Sequence, residues 1–190
     1  MDDGYIKFNL DWKKSSINFD ISEINTCREK LYGLGLIGAY PSGIGYGNIS
    51  IRIGKNNEFI ITGSETGNKK KLNIDDYSLV TSFDVDKNFV SCIGLTKASS
   101  ESMTHAAIYE ANLRINAVIH IHSKRLWDFL KNKTMCISKD IPYGTPEMAH
   151  AVGKLAKENA SGIIVMLGHV EGIISYGKNI DDALKKIIKN

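Results

Sequence analysis

The chain has 190 residues, enough to bury a sizeable core. With 43% hydrophobic and 24% charged residues it is not a disordered chain, which needs low hydrophobicity and high net charge. A formal net charge of +3 argues against a nucleic-acid binder, and no apolar run approaches the ~20 residues that span a bilayer.

The first eleven residues carry acids and no long apolar stretch, so they do not read as a signal peptide. From Tyr5 to Trp12 large apolar and polar residues alternate. That strip needs cover, as an edge strand of its own domain or under a neighbouring subunit. It belongs to an N-terminal extension, to about residue 18, of a single domain spanning 1–190. Residues 21–36 place Ile21, Ile24, Cys27, Leu31 and Leu34 at helical spacing. Glycines and Pro41 between 33 and 47 predict a loop. Residues 48–53 alternate, with Ile49, Ile51 and Ile53 on one face, and 58–62 reads as the hairpin partner. The triple lysine at Lys69, Lys70 and Lys71 reads as a solvated loop. Asp75, Asp76 and Tyr77 open a short turn or helix, and 79–83 returns as a strand.

Ser99 and Ser100 are good N-caps for a helix running to about residue 111. Residues 116–122, rich in Val and Ile, form a strand. A second good helix covers 145–159, with Pro146 suited to its first turn. A buried strand is predicted at 162–167, a turn at 168–172 and a returning strand at 173–176. Asn179 caps a last helix that carries Ala183, Leu184, Ile187 and Ile188 on one face. Strand pairs joined by short turns predict an α/β chain with a largely antiparallel sheet flanked by helices. The odd, scattered cysteines Cys27, Cys92 and Cys136 make no disulfide framework, and a cytoplasmic location is the simplest setting.

The strongest chemical signal is Val118-Ile119-His120-Ile121-His122. Side chains two apart in a strand share a face, so His120 and His122 point the same way while Ile119 and Ile121 face the core. Taken alone, such a pair is as readily two polar residues on an exposed face. His169 follows the buried run 163–167 and sits in Gly168-His169-Val170-Glu171-Gly172, where it can reach a neighbouring strand. Three histidines and an open position are the pattern of a catalytic zinc, one ion per chain. His105 and His150 lie inside predicted helices and are read as helix-face residues, not ligands. Glu101, in the first turn after the serines, is the candidate acid/base. Beside a metal-polarised carbonyl it could remove the neighbouring proton, giving an enediolate. A glutamate in a first helical turn also needs no function to be favourable. Ser99, Ser100 and the amides behind them form an anion site. The Gly-rich stretches 43–48 and 62–67 could approach a phosphate by backbone, or be simple turns, and neither matches a P-loop or dinucleotide fingerprint.

At these residues the sequence resembles the class II aldolase/adducin family, most like its fuculose-phosphate aldolases. The matching pieces are Gly47-Asn48-Ile49-Ser50-Ile51-Arg52, Ile60-Ile61-Thr62-Gly63-Ser64, Ser99-Ser100-Glu101 with His105, Ala117-Val118-Ile119-His120-Ile121-His122, and Gly168-His169-Val170-Glu171-Gly172-Ile173-Ile174. They keep the family's order across nearly the whole chain. The resemblance implies a three-layer α/β/α fold around a central antiparallel sheet, and a homotetramer. It implies a zinc held by His120, His122 and His169, with Glu101 transferring the proton. It also implies that Asn48, Ser99 and Ser100 bind a substrate phosphate, helped by the loop at Thr66 and Gly67, where Ser64 or Thr66 matches the family's residue. The interval 123–144 is shorter than in the sugar-phosphate aldolases of the family, so part of the pocket wall is expected to be missing. Glu101 stands where the related 4-epimerases carry Asp, which counts against epimerisation. The reading is therefore a zinc-dependent lyase acting on a small phosphorylated ketose by retro-aldol cleavage. Dehydration of a methylthioribulose-phosphate-like substrate and a non-catalytic metal-binding role are the alternatives.

Overall fold

A computed structural model describes residues 5–54 and 56–189. In chain order it contains Asn9–Lys14 (β1), Ser22–Gly33 (α1), Gly38–Ala39 (β2), Gly45–Tyr46 (β3), Asn48–Arg52 (β4) and Phe59–Thr62 (β5). One turn of 3-10 helix at Ile74–Asp76 leads into Tyr77–Asp84 (β6), followed by Phe89–Gly94 (β7), Ser102–Ala111 (α2) and Ala117–His122 (β8). Then come Lys124–Leu130 (α3), Met135–Ile137 (β9), Pro146–Ala156 (α4), Gly162–Met166 (β10), Gly172–Gly177 (β11) and Ile180–Ile188 (α5).

Among the described residues, nine strands form one sheet in the order β1-β7-β6-β5-β4-β8-β11-β10-β9, and β2 and β3 make a small separate hairpin. The α/β architecture with helices on the sheet is as expected, but the sheet is mixed. Its interior pairs are antiparallel, but β1 runs parallel to β7 at one edge and β9 parallel to β10 at the other. Both edge strands arrive through long connections. The step from β9 to β10 passes through α4, the crossover that a parallel pair requires.

Helices cover both faces. On one, α1 contributes Ile24 and Leu31, α3 contributes Leu126, and α5 contributes Ala183, Leu184 and Ile187. They pack against Ile49, Ile60, Ile119, Ile121 and Ile173 of the sheet. On the other face, α2 and α4 pack Met103, Ala106, Met148 and Val152 against Phe59, Ile61, Val118, Ile164 and Ile174. Strand β8 divides its side chains between these layers. Ala117, Ile119 and Ile121 enter the first core, while Val118 enters the second and shares its strand face with His120 and His122. Each fully buried isoleucine contributes ~1.5–3 kcal/mol, so a one-residue slip that buried imidazoles in their place would be strongly disfavoured.

Local sequence sets the helix ends. Thr145 accepts a hydrogen bond from the Met148 amide (3.2 Å) ahead of Pro146, and Asn179 accepts one from Asp182 (2.8 Å). In α5 the stripe of Ala183, Leu184 and Ile187 is buried, but Ile188 is exposed, because one further residue turns roughly 100° off that face. Helix α2 starts later than expected. Its N-cap is Glu101, without a side-chain cap bond, and Ser99 and Ser100 lie in the turn before it. Ser99 Oγ accepts from the Glu101 amide at 3.3 Å instead. Most of the N-terminal strip is covered by its own domain: Phe8 is buried, Ile6, Leu10 and Trp12 pack on the second core, and the Trp12 indole donates to the Gly94 carbonyl at 2.9 Å, while Tyr5 stays exposed.

Candidate functional site

The sheet register assembles the site. Asn48, at the start of β4, lies opposite His120 on β8, and Gly172, at the start of β11, lies opposite His122. His169 sits in the turn between β10 and β11, where its amide donates to the Met166 carbonyl at 3.1 Å. Gly47 just before Asn48 has φ +76, and a Cβ there would lie 3.1 Å from the His120 carbonyl oxygen, so this close crossing needs glycine.

The three histidines converge. One ring nitrogen from each of His120, His122 and His169 lies within 4.8 Å of the others. His120 Nε2 and His122 Nε2 are 3.1 Å apart. Tetrahedral ligation at ~2.0–2.1 Å would put ligand nitrogens about 3.3 Å apart, so these residues fit a single ion. The exposures of His120, His122 and His169 are 1%, 5% and 6%, so the pair is not on an exposed face. Burial, with the neighbouring histidines next, holds the His120 imidazole well below its ordinary pKa and keeps it neutral, the form that offers a lone pair.

A cleft of about 710 Å³ opens beside them. Every site residue expected from the sequence lines it: Asn48, Thr66, Gly67, Ser99, Ser100, Glu101 and the three histidines, with Ser64 as well. Glu101 is buried, and its carboxylate accepts a hydrogen bond from Thr104 Oγ1 at 3.0 Å. Asn48 keeps a buried amide oxygen without a partner. The Thr66 hydroxyl donates to the Gly63 carbonyl at 2.9 Å. His150 lies away from this group and pairs with Asp86 at 2.9 Å. His105 is also outside the metal group, but it is fully buried, within 2.7 Å of Ser50 Oγ.

Four contributors escaped the sequence reading. Arg28 on α1 is buried and donates to the carbonyls of Lys70 (2.8 Å), Thr66 (3.2 Å) and Gly67 (3.3 Å), pinning the loop from behind. Tyr40 Oη lies 2.7 Å from His122 Nδ1. Lys97 also lines the cleft, with its ammonium 5.6 Å from the Trp12 ring centroid. Thr104 was the most legible, since three residues along a helix bring two side chains together. Arg28 and Tyr40 act across long sequence separations and leave no local signal. The short interval 123–144 still closes one side of the cleft, for the Tyr143 ring stacks on His169 at 4.2 Å and Lys7 Nζ sits 3.8 Å above Tyr143.

Comparison with known proteins bears on family and fold. The family model described as class II aldolase and adducin N-terminal domain matches residues 41–189. A protein named L-fuculose phosphate aldolase from Methanocaldococcus jannaschii is 31% identical over 180 residues, covering 86% of this chain and 87% of that one. Its namesake from Methanococcus maripaludis is 31% identical over 156 residues, covering 74% and 77%. A sugar-phosphate aldolase structure from Thermotoga maritima superposes with a TM-score of 0.69 over 89% of each chain at 16% identity, a likeness of fold.

Proposed function

The chain belongs to the class II aldolase and adducin family, and from that premise we propose a zinc-dependent lyase that cleaves a small phosphorylated ketose by a retro-aldol reaction. The observation that carries the reading is the single cleft that gathers three converging histidines, a buried carboxylate and a hydroxyl- and glycine-rich wall. His120, His122 and His169 would hold the ion, which when bound supplies Lewis-acid polarisation of the substrate carbonyl. Asn48, Ser99, Ser100, Thr66 and Gly67 hold the phosphate. Glu101, oriented by Thr104, carries the proton to and from the carbon next to the carbonyl. The three thiols are unpaired, as a reducing cytoplasm would leave them.

The test is a panel of ketose phosphates and their dephosphorylated forms, run on protein purified without a histidine tag. The expected results are about one zinc per chain by elemental analysis, two carbonyl fragments as products, and competitive inhibition by inorganic phosphate. Loss of water in place of cleavage would convert the assignment to a dehydratase. Metal without turnover across the panel would support a binding role, and equal rates on free and phosphorylated sugars would remove the phosphate assignment.

A further inference from the structure

The β2–β3 hairpin holds Tyr40 over the far side of His122. The Tyr40 amide donates to the Ile44 carbonyl at 2.9 Å, the Gly43 amide donates to the Tyr40 carbonyl at 2.8 Å, and the Tyr40 and Tyr46 rings pack with centroids 4.7 Å apart. Tyr40 Oη then lies 2.7 Å from His122 Nδ1, while His122 Nε2 lies 3.1 Å from His120 Nε2. Resting on the metal-site reading above, we propose that Tyr40 is a positioning residue that sets the tautomer of His122 and thereby the affinity of the three-histidine site for a divalent cation.

The chemistry follows from counting hydrogens. A neutral imidazole has one N–H and one lone pair. The Nε2–Nε2 contact is a hydrogen bond only if one nitrogen carries hydrogen. With that hydrogen on His122 Nε2, its Nδ1 is an acceptor and the Tyr40 hydroxyl donates to it. Ligation needs the Nε2 lone pair, so the hydrogen moves to Nδ1 and donates to the Tyr40 oxygen. His122 neither gains nor loses a proton in the exchange. A hydroxyl serves both states because it donates and accepts, whereas a carboxylate at that place would only accept.

Tyr40→Phe removes the hydroxyl and keeps the ring on Tyr46. Zinc binding is measured against a chromophoric chelator, and the nitrogen-15 spectrum of the histidines is recorded with and without zinc. The expected result is zinc affinity lower by on the order of 10- to 100-fold. The metal-free wild type should show hydrogen on His122 Nε2, zinc should move it to Nδ1, and Tyr40→Phe should alter the metal-free pattern. Tyr46→Phe, whose lost hydroxyl donates to the Gly35 carbonyl at 3.2 Å, should leave zinc affinity unchanged. Unchanged zinc affinity in Tyr40→Phe, or a His122 tautomer indifferent to that change, overturns the proposal. Wild-type protein that takes up no zinc defeats the metal-site reading itself, and the metal-free spectrum then decides separately whether Tyr40 sets the tautomer.

Discussion

At the scale of single residues, two side chains make separable demands. Glu101→Gln keeps the size and leaves an amide oxygen for the Thr104 hydroxyl, but cannot take a proton. Turnover should fall by on the order of a hundredfold or more with zinc content unchanged. Near-normal turnover would move the base elsewhere, to Tyr143 or Glu171. His105 makes a different prediction, read in stability. Burial lowers its pKa from 6.5 to about 3. The folded state therefore binds fewer protons than the unfolded state between those values, and stability rises with pH across that window. The His105 contribution is fully present above pH 6.5 and is lost as pH falls toward 3. At pH 5 the loss is about 2 kcal/mol, from ~1.4 kcal/mol per unit. Denaturant melts should show that slope, and His105→Gln should flatten it. An unchanged slope in the variant would place the titration in other groups.

At the scale of elements, the loop that bears Thr66 and Gly67 depends on α1. Arg28 meets three of its carbonyls, and lysine, a point charge, cannot reproduce that fork. Arg28→Lys should raise KM for the phosphorylated substrate and weaken inhibition by phosphate while kcat changes little. Arg28→Met should also cost about 3 kcal/mol of stability, since the carbonyls lose charged donors in a buried place. Equal KM in Arg28→Lys would show that the loop holds itself. Sequence reading succeeds where an element is long and periodic, as in α4, or where alternation is sharp, as in β8. It misses β7, whose buried positions include Cys92 and Gly94 and whose pattern is faint. It misses α3 and β9, which at seven and three residues are too short for a period to emerge. Among site residues, the histidines and Ser99-Ser100-Glu101 are legible as motifs. Arg28 and Tyr40 are not, because each meets its partner across a distance in sequence that only the fold closes.

For the whole molecule, we propose a homotetramer on the family resemblance alone, because Phe8, Leu10 and Trp12 of the N-terminal strip are taken up by β1 and the second core. Light scattering should give a mass near four chains, and truncation through Trp12 should lower stability by stripping an edge strand. A fully active monomer at micromolar concentration would defeat the tetramer. No helix among the described residues is long and apolar enough to cross a membrane. One contact has a reach beyond its size: a Cβ on Gly67 would lie 2.3 Å from the Gly38 carbonyl oxygen and 2.7 Å from Gly45 Cα. The loop proposed for the phosphate is thus packed backbone to backbone on the hairpin that carries Tyr40 to His122. An anion that stiffens the loop should also steady the hairpin, so phosphate and zinc should bind cooperatively. Linkage requires that each tighten the other by the same factor. Gly67→Ala, by forcing the two backbones apart, should abolish that shared factor even where each ligand still binds alone.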